Sequence, residues 1–248
     1  LAIVLAQRGG PNRVVVWSLG PDSSEKILAR ERRRLLRLDP EDVPAITWRP
    51  LPKTAVATLY PHGGAPYAEP RFLSDGRRLL VVRRTGRGDG AVRGDLFTWD
   101  FTTGAVRRIT RDAGIRYADP SPNGTSAVAD RCIDGVCDLV RVDLGTGRMQ
   151  VLAAGSPRVV YHRPRYSNYG SRIVVSVQRG GRWRLALLAV DAPAGTVPTE
   201  IGPDDDANRF DAAFLPGDTA LVFTTDQSGI PNIGVMRLGD DGTARLWN

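Results

Sequence analysis

Short apolar runs alternate with polar, glycine-containing segments along most of this chain, and residues 68–110 show the pattern most completely. Leu-Leu-Val-Val at 79–82 and Leu-Phe-Thr-Trp at 96–99 are apolar runs of strand length. Ser-Asp-Gly at 74–76 and Thr-Gly at 103–104 are typical of tight turns, because glycine tolerates a positive φ and aspartate bonds its own backbone. The stretch therefore predicts four short strands joined by three turns.

The same pattern occurs four times. The residues at the anchor position before the first turn of each copy are 50, 44 and 48 positions apart; they are Pro70, Pro120, Pro164 and Ala212. The glycines of the last turn are 43, 48 and 47 positions apart; they are Gly104, Gly147, Gly195 and Gly242. A repeat of this length with four strands indicates propeller blades, and no segment shows the sustained 3.6-residue apolar spacing of a helical repeat. The sequence predicts an all-β fold, a β-propeller of four-stranded antiparallel blades.

The repeat, Pro-x-aromatic-Ser-x-Asp/Asn-Gly followed by an aromatic-rich strand, Thr-Gly and a strand ending in Ile-Thr, resembles the TolB-like (WD-type) propeller repeat. The resemblance covers about residues 61–248. It implies a propeller like those of bacterial envelope proteins and of prolyl-oligopeptidase-like enzymes. Three features depart from it: the second copy is two residues shorter before its turn, the fourth carries Pro216-Gly217-Asp218, and the α/β domain of TolB has no counterpart.

We expect one propeller domain over residues 1–248 with about five blades visible, the first incomplete. Residues 1–28 form a partial blade, with a second strand at 2–6, a third at 13–19 and an outer strand at 24–28. Residues 29–60 form an irregular or degenerate blade, in which 55–59 is suited to an outer strand and Pro40, Pro44, Pro50 and Pro52 break any long element. Clear blades follow at 61–110, 111–153, 154–201 and 202–248. Because the first blade opens on its second strand, we interpret the chain as an excerpt of a larger propeller.

The net charge of +7 comes almost entirely from arginine, since Lys26 and Lys53 are the only lysines. Scattered arginines favour solvated strand edges and loops, and the alternative is a surface for an anionic polymer or lipid. No nucleic-acid-binding motif accompanies them, so a nucleic-acid partner is not expected. No apolar run has the length of a membrane span.

Cys132 and Cys137 flank Ile-Asp-Gly-Val, in which Asp-Gly is a strong two-residue hairpin turn. In that register the two cysteines lie directly opposite each other at a non-hydrogen-bonded pair, where the Cα atoms approach to about 4.5 Å. We predict a cross-strand disulfide, which indicates an oxidising compartment such as the periplasm. Two reduced thiols are the alternative.

Candidate chemistry is sparse. No nucleophile elbow, zinc-protease motif or phosphate-binding loop is present. His62 and His162, the only histidines, each precede an expected inner strand and are predicted to lie in loops. The acidic stretch at 202–208 does not match the spacing of a calcium loop. We therefore expect no catalytic residue, cofactor or metal in this chain.

The strongest candidates for binding are the residues that the repeats bring to the mouth of the central channel. The residue directly before each anchor is charged. The residue three positions before the anchor is aromatic in three copies, and in the fourth copy the aromatic residue comes one position later. We predict a binding rim of Tyr67, Glu69, Tyr117, Asp119, Tyr161, His162, Arg163, Phe210 and Asp211. The alternative is that the tyrosines wedge between blades and the acids cap turns.

These features predict a non-catalytic binding or scaffold module of the bacterial envelope, exported to the periplasm, that captures a protein or peptide partner. One alternative is the substrate-gating propeller of a larger peptidase whose hydrolase domain is absent from this sequence. Another is binding of an anionic envelope polysaccharide.

Overall fold

The structure, a computed structural model, describes residues 1–7, 10–20, 23–38, 55–63, 65–86, 90–239 and 244–246. Its strands form five antiparallel sheets, which we call blades one to five in chain order. Blade one has the order β1-β2-β3, with β1 at Ala2–Gln7, β2 at Gly10–Val16 and β3 at Ala57–Leu59. The helix α1 (Ser23–Leu38) lies between β2 and β3 along the chain.

Blades two to five each contain four strands, arranged in chain order from the inside of the propeller outward. Blade two comprises β4 (Tyr67–Phe72), β5 (Arg78–Gly86), β6 (Val92–Asp100) and β7 (Val106–Arg108). Blade three comprises β8 (Ile115–Pro120), β9 (Ser126–Ile133), β10 (Val136–Asp143) and β11 (Met149–Ala153). Blade four comprises β12 (Val159–Tyr166), β13 (Arg172–Arg179), β14 (Arg182–Ala189) and β15 (Thr199–Ile201). Blade five comprises β16 (Arg209–Phe214), β17 (Ala220–Thr225), β18 (Asn232–Leu238) and β19 (Ala244–Leu246).

Neighbouring blades share hydrophobic cores, so the apolar runs in the second and third strands are buried on both faces. Four clusters lie at the four successive interfaces from blade one to blade five. Their fully buried residues include Val14 with Leu79, Leu80 with Ile115, Val128 with Ile173, and Val174 with Leu221. This stacking of sheets around an axis confirms the predicted all-β propeller.

Blade one confirms part of the prediction and corrects the rest. β4 packs against β1 and β2 as β8 packs against β5 and β6, so β1 and β2 correspond to second and third strands, as expected. The outer strand is β3, which pairs with Val14, Val15 and Val16 of β2, and lies where 55–59 was expected to form one.

The predicted outer strand at 24–28 is wrong, because this segment is the beginning of α1. The helix contains Ala, Leu, Arg, Glu and Lys without glycine or proline, and these residues have high intrinsic helix propensity. The described part of 29–60 forms no blade of its own. The predicted breaks at Pro40, Pro44, Pro50 and Pro52 and the last turn at Gly242 lie outside the described residues.

The β9–β10 hairpin has the predicted register. Ile133 pairs with Val136 and Cys132 with Cys137, and Asp134 and Gly135 both have positive φ in the turn. The cysteines form a disulfide with their Cα atoms 4.1 Å apart. No helix among the described residues is long and apolar enough to cross a membrane.

Candidate functional site

The inner strands of blades two, four and five share an irregularity four residues before the first turn. In each, two consecutive residues of the inner strand lie opposite one residue of the second strand, and the first of the two is Glu69, Arg163 or Asp211. These residues have φ of 52°, 45° and 55°, a left-handed conformation that costs a non-glycine residue about 1–3 kcal/mol. A bulge re-aims the side chain it carries, and here it occurs three times at the same level of the propeller.

The three bulge residues meet across the axis. Arg163 Nη1 lies 3.0 Å from Asp211 Oδ2, and its Nη2 lies 3.8 Å from Glu69 Oε1. The guanidinium of Arg163 also sits over the ring of Tyr117, 4.3 Å from its centroid. Blades two, three, four and five therefore each contribute one side chain to this contact.

The charge of Arg163 is stabilised by this setting. Burial lowers the pKa of its guanidinium, but the contacts with Tyr117, Asp211 and Glu69 raise it by more. Within the described part of the chain, Arg163 Nε and Asp211 Oδ1 are buried and have no hydrogen-bond partner. Buried polar atoms are normally paired, so these two atoms are exceptions within the cluster.

A second group of side chains supports Tyr117 from below. The carboxylate of Asp130, which is 0% exposed, accepts a hydrogen bond from the backbone N–H of Tyr117 at 2.7 Å. Its other oxygen lies 2.9 Å from His162 Nδ1. The imidazole of His162 packs edge-on against Tyr117, with centroids 4.6 Å apart, and lies 5.6 Å from the ring of Trp183. We call Glu69, Tyr117, His162, Arg163 and Asp211 the channel-mouth cluster.

Asp119 lies beside this cluster and links three blades. Its carboxylate is 3.2 Å from Arg165 Nη1 and 3.7 Å from Arg71 Nε, and it accepts the backbone N–H of Tyr166 at 3.0 Å. Burial raises the pKa of Asp119 to about 6, against the opposing effects of Tyr166 and Arg71. The residue acts as a clamp between inner strands and carries no bulge.

Two of the predicted rim residues are elsewhere. Tyr67 and Tyr161 are buried in the cores between blades, and Tyr67 packs edge-on against Phe97 at 5.5 Å. Tyr67 pairs with Arg83 and Tyr161 pairs with Val177 in the second strand of their blades. Each pair comes one residue before the pair whose inner-strand side chain faces the channel. The inter-blade alternative is therefore the correct one for these two tyrosines.

Tyr117 differs from them because of its register. It pairs with Asp130 of the second strand. Asp130 has the same position in its strand as Ser176 and Thr224 in blades four and five, and those residues pair with His162 and Phe210. The half-buried Phe210 thus shares the register position of Tyr117 and His162. His162 lies within β12, so the predicted loop placement is wrong for this histidine.

No motif or repeat position pointed to Asp130, Trp183, Arg71 or Arg165. Asp130 and Trp183 lie in second and third strands, where the repeat pattern only predicts burial. The acidic loop at 202–208 has a structural partner: Asp205 forms two 2.7 Å hydrogen bonds to the buried Arg209. This interaction lowers the pKa of Asp205.

No protein-family model matches this chain. No curated protein matches its sequence. Solved structures do share its fold. TolB from Acinetobacter baumannii is similar with a TM-score of 0.60 and 14% identity, over 99% of this chain and 67% of that one.

A hydrolase and the propeller domain of a protease are similar as well. Puromycin hydrolase gives a TM-score of 0.58 at 16% identity, over 79% of this chain and 33% of the hydrolase. The β-propeller domain of the Trilobed protease from Pyrococcus furiosus gives 0.54 at 12% identity, over 74% of this chain and 57% of that one. The chain therefore spans about two thirds of TolB and a third of the hydrolase, and it has a TolB-like propeller fold.

Proposed function

We propose that this protein is a non-catalytic propeller module that binds a protein or peptide partner at the channel-mouth cluster. The observation that carries the proposal is the convergence of three left-handed bulge residues from three blades on one ion-paired group. Backbone strain of this kind persists where surrounding structure enforces it, and it is concentrated at functional sites.

The chemistry of the cluster suits a peptide. Arg163 supplies guanidinium donors and Glu69 and Asp211 supply carboxylate acceptors, which are the complements of a peptide carbonyl and N–H. Beside them, the rings of Tyr117, His162 and Trp183 form a continuous aromatic surface. Aromatic residues and arginine are the side chains that most often anchor protein interfaces.

An exported location in the bacterial envelope completes the proposal. The disulfide between Cys132 and Cys137 supports it, because disulfides persist in oxidising compartments such as the periplasm. Thiol labelling of protein isolated without reductant is expected to find neither cysteine reactive. Two reactive thiols would argue against export.

A pull-down from the envelope fraction of the protein's own cells tests the binding proposal. The tagged wild-type protein is expected to retain a specific partner that Arg163→Met does not retain. Arg158→Met is the matched control, since it removes an exposed arginine of the same blade that precedes β12 and is not in the cluster. Equal retention by all three proteins would contradict the assignment of the site.

A gating propeller of a larger peptidase is the second candidate, favoured by the similarity to the hydrolase and protease propellers. The mass and end sequences of the native polypeptide separate the two candidates. A hydrolase domain in the same polypeptide supports gating, and a native mass equal to 26.9 kDa excludes it.

A further inference from the structure

The helix α1 presents apolar side chains to solvent. Ile27, Leu28, Leu35 and Leu36 are 67%, 46%, 39% and 42% exposed. At about 100° per residue, Ile27, Leu28 and Leu35 fall within one arc of about 100° on the helix surface. Exposed aliphatic side chains clustered on one face of a helix point to an apolar partner, and this arc carries three of them.

A basic arc adjoins the apolar one. Lys26, Arg30, Arg33, Arg34 and Arg37 fall within a second arc of about 100°, and all five are exposed. Arg32 lies on the opposite flank of the apolar arc. The segment from Lys26 to Arg37, with both ends included, contains six basic residues and one acid. It therefore carries +5 of the chain's net charge of +7.

The single acid in this segment lies within the apolar arc and is paired with a neighbouring arginine. Glu31 lies between the apolar residues in angle, and its Oε1 is 3.7 Å from Arg34 Nη1. Both side chains are more than half exposed, so the pair is weak and its partners can separate at a surface.

We infer that α1 docks in the plane of a bilayer that contains anionic phospholipid. An amphipathic helix with aliphatic residues on one face and arginines beside them is typical of helices that lie at a lipid interface. Arginine side chains extend their charge to the headgroups while their stems cover apolar surface. A nucleic acid or polysaccharide matches the arginines and leaves the exposed Ile27 and Leu28 unexplained.

The position of α1 in the fold gives the docking a direction. In blades two to five, the third-to-fourth-strand connection lies on the same face as the first turn; Phe101 N–H, for example, donates to Arg77 O. α1 belongs to the corresponding connection of blade one, after β2. The bulges of the channel-mouth cluster lie near the middle of the inner strands, four residues before the first turn. A propeller docked through α1 therefore holds the first turns nearer to the membrane than the cluster.

Vesicle flotation of the full chain tests this inference. The wild-type protein is expected to bind vesicles of phosphatidylcholine mixed with phosphatidylglycerol about tenfold better than vesicles of phosphatidylcholine alone, and to be released by salt. Leu28→Gln with Leu35→Gln, and separately Arg33→Gln with Arg37→Gln, are each expected to abolish most of this binding. Glutamine keeps high helix propensity at these exposed positions, so folding is preserved.

Two controls make the result decisive. Arg77→Gln with Arg182→Gln removes the same charge from exposed sites outside α1 and is expected to leave vesicle binding unchanged. Arg163→Met is also expected to bind vesicles normally, which separates this inference from the proposed partner site. If the leucine pair has no effect, or the control arginine pair has the same effect as Arg33 and Arg37, the inference is wrong. Retention on heparin or DNA without vesicle binding also overturns it.

Discussion

Blades three and four begin their inner strands with the same spacing, a tyrosine followed three positions later by proline, yet the two tyrosines have different surroundings. Tyr161 of blade four is 2% exposed and packs in the core between blades three and four. Tyr117 of blade three is only half-buried and lies under the guanidinium of Arg163 in the channel. One tyrosine supports the scaffold and the other forms part of the candidate site.

The reason is the distance from each tyrosine to the first turn. In blade four the turn closes with Ser167 N–H donating to Arg172 O, and in blade three with Ser121 N–H donating to Ser126 O. Tyr161 is six residues before its turn and Tyr117 four before its own. The bulge of blade three correspondingly falls between Ile115 and Tyr117, and that of blade four between His162 and Arg165. The side chain that faces the channel is thus set by the turn and the bulge, and the proline alone does not determine it.

The largest expected effect separates the two tyrosines directly. Tyr161→Ala is expected to lower the free energy of unfolding by about 3–5 kcal/mol, because it leaves a cavity between two blades. Tyr117→Ala is expected to cost about 1 kcal/mol or less, because its ring is partly solvated, while weakening partner retention. Urea denaturation of both variants measures the difference. Equal losses of stability would mean that the two positions are equivalent after all.

The disulfide gives a second difference between these blades. The β9–β10 hairpin of blade three is cross-linked, whereas the β13–β14 hairpin of blade four turns through Gly180 and Gly181 without a cross-link. Cys132→Ser with Cys137→Ser is expected to cost about 2 kcal/mol, since the closed loop is short. Reduction of the wild-type protein should lower its stability by a similar amount in the same denaturation assay. No change on reduction would show that blade three gains nothing from the cross-link.

The smallest effect concerns pH, and it arises at Asp119 of blade three. Its native pKa of about 6 lies above the usual value of an unfolded aspartate, so the folded state binds the proton more tightly. Stability should therefore rise as pH falls from 7 to 5, by about 1 kcal/mol from this group. Asp119→Asn should lose this slope. A wild-type slope that the variant retains would assign the effect to another group.

Much of the fold was predictable because turn chemistry and strand length are local. The glycines at the turns and the apolar runs between them predict the blades, and Asp134-Gly135 fixes the register that places Cys132 opposite Cys137. The repeat does not predict α1, because β1 and β2 match second and third strands and the pattern of the later blades then predicts an outer strand at 24–28. The helix-forming composition of α1 continues to Leu38 and outweighs that pattern.

The candidate site was predictable only in part, because it is assembled from four blades. The charged positions before the anchors indicated Glu69, Arg163 and Asp211, which the structure brings together. The position of Tyr117 depends on a bulge, for which the only sequence signal is the turn that comes two residues early. Asp130 and Trp183 approach His162 through contacts across strands and blades, and such contacts leave no periodic pattern.

Photo-cross-linking from the channel tests the central claim most directly. A benzophenone amino acid placed at Phe210, in the register position of Tyr117 and His162, is compared with the same group at Tyr169, an exposed residue in the first turn of blade four on the opposite face. Irradiation in the protein's own cells is expected to give a discrete protein adduct from Phe210 that Arg163→Met abolishes, and no such adduct from Tyr169. No adduct from Phe210, or the same adducts from both positions, would contradict partner binding at the channel mouth.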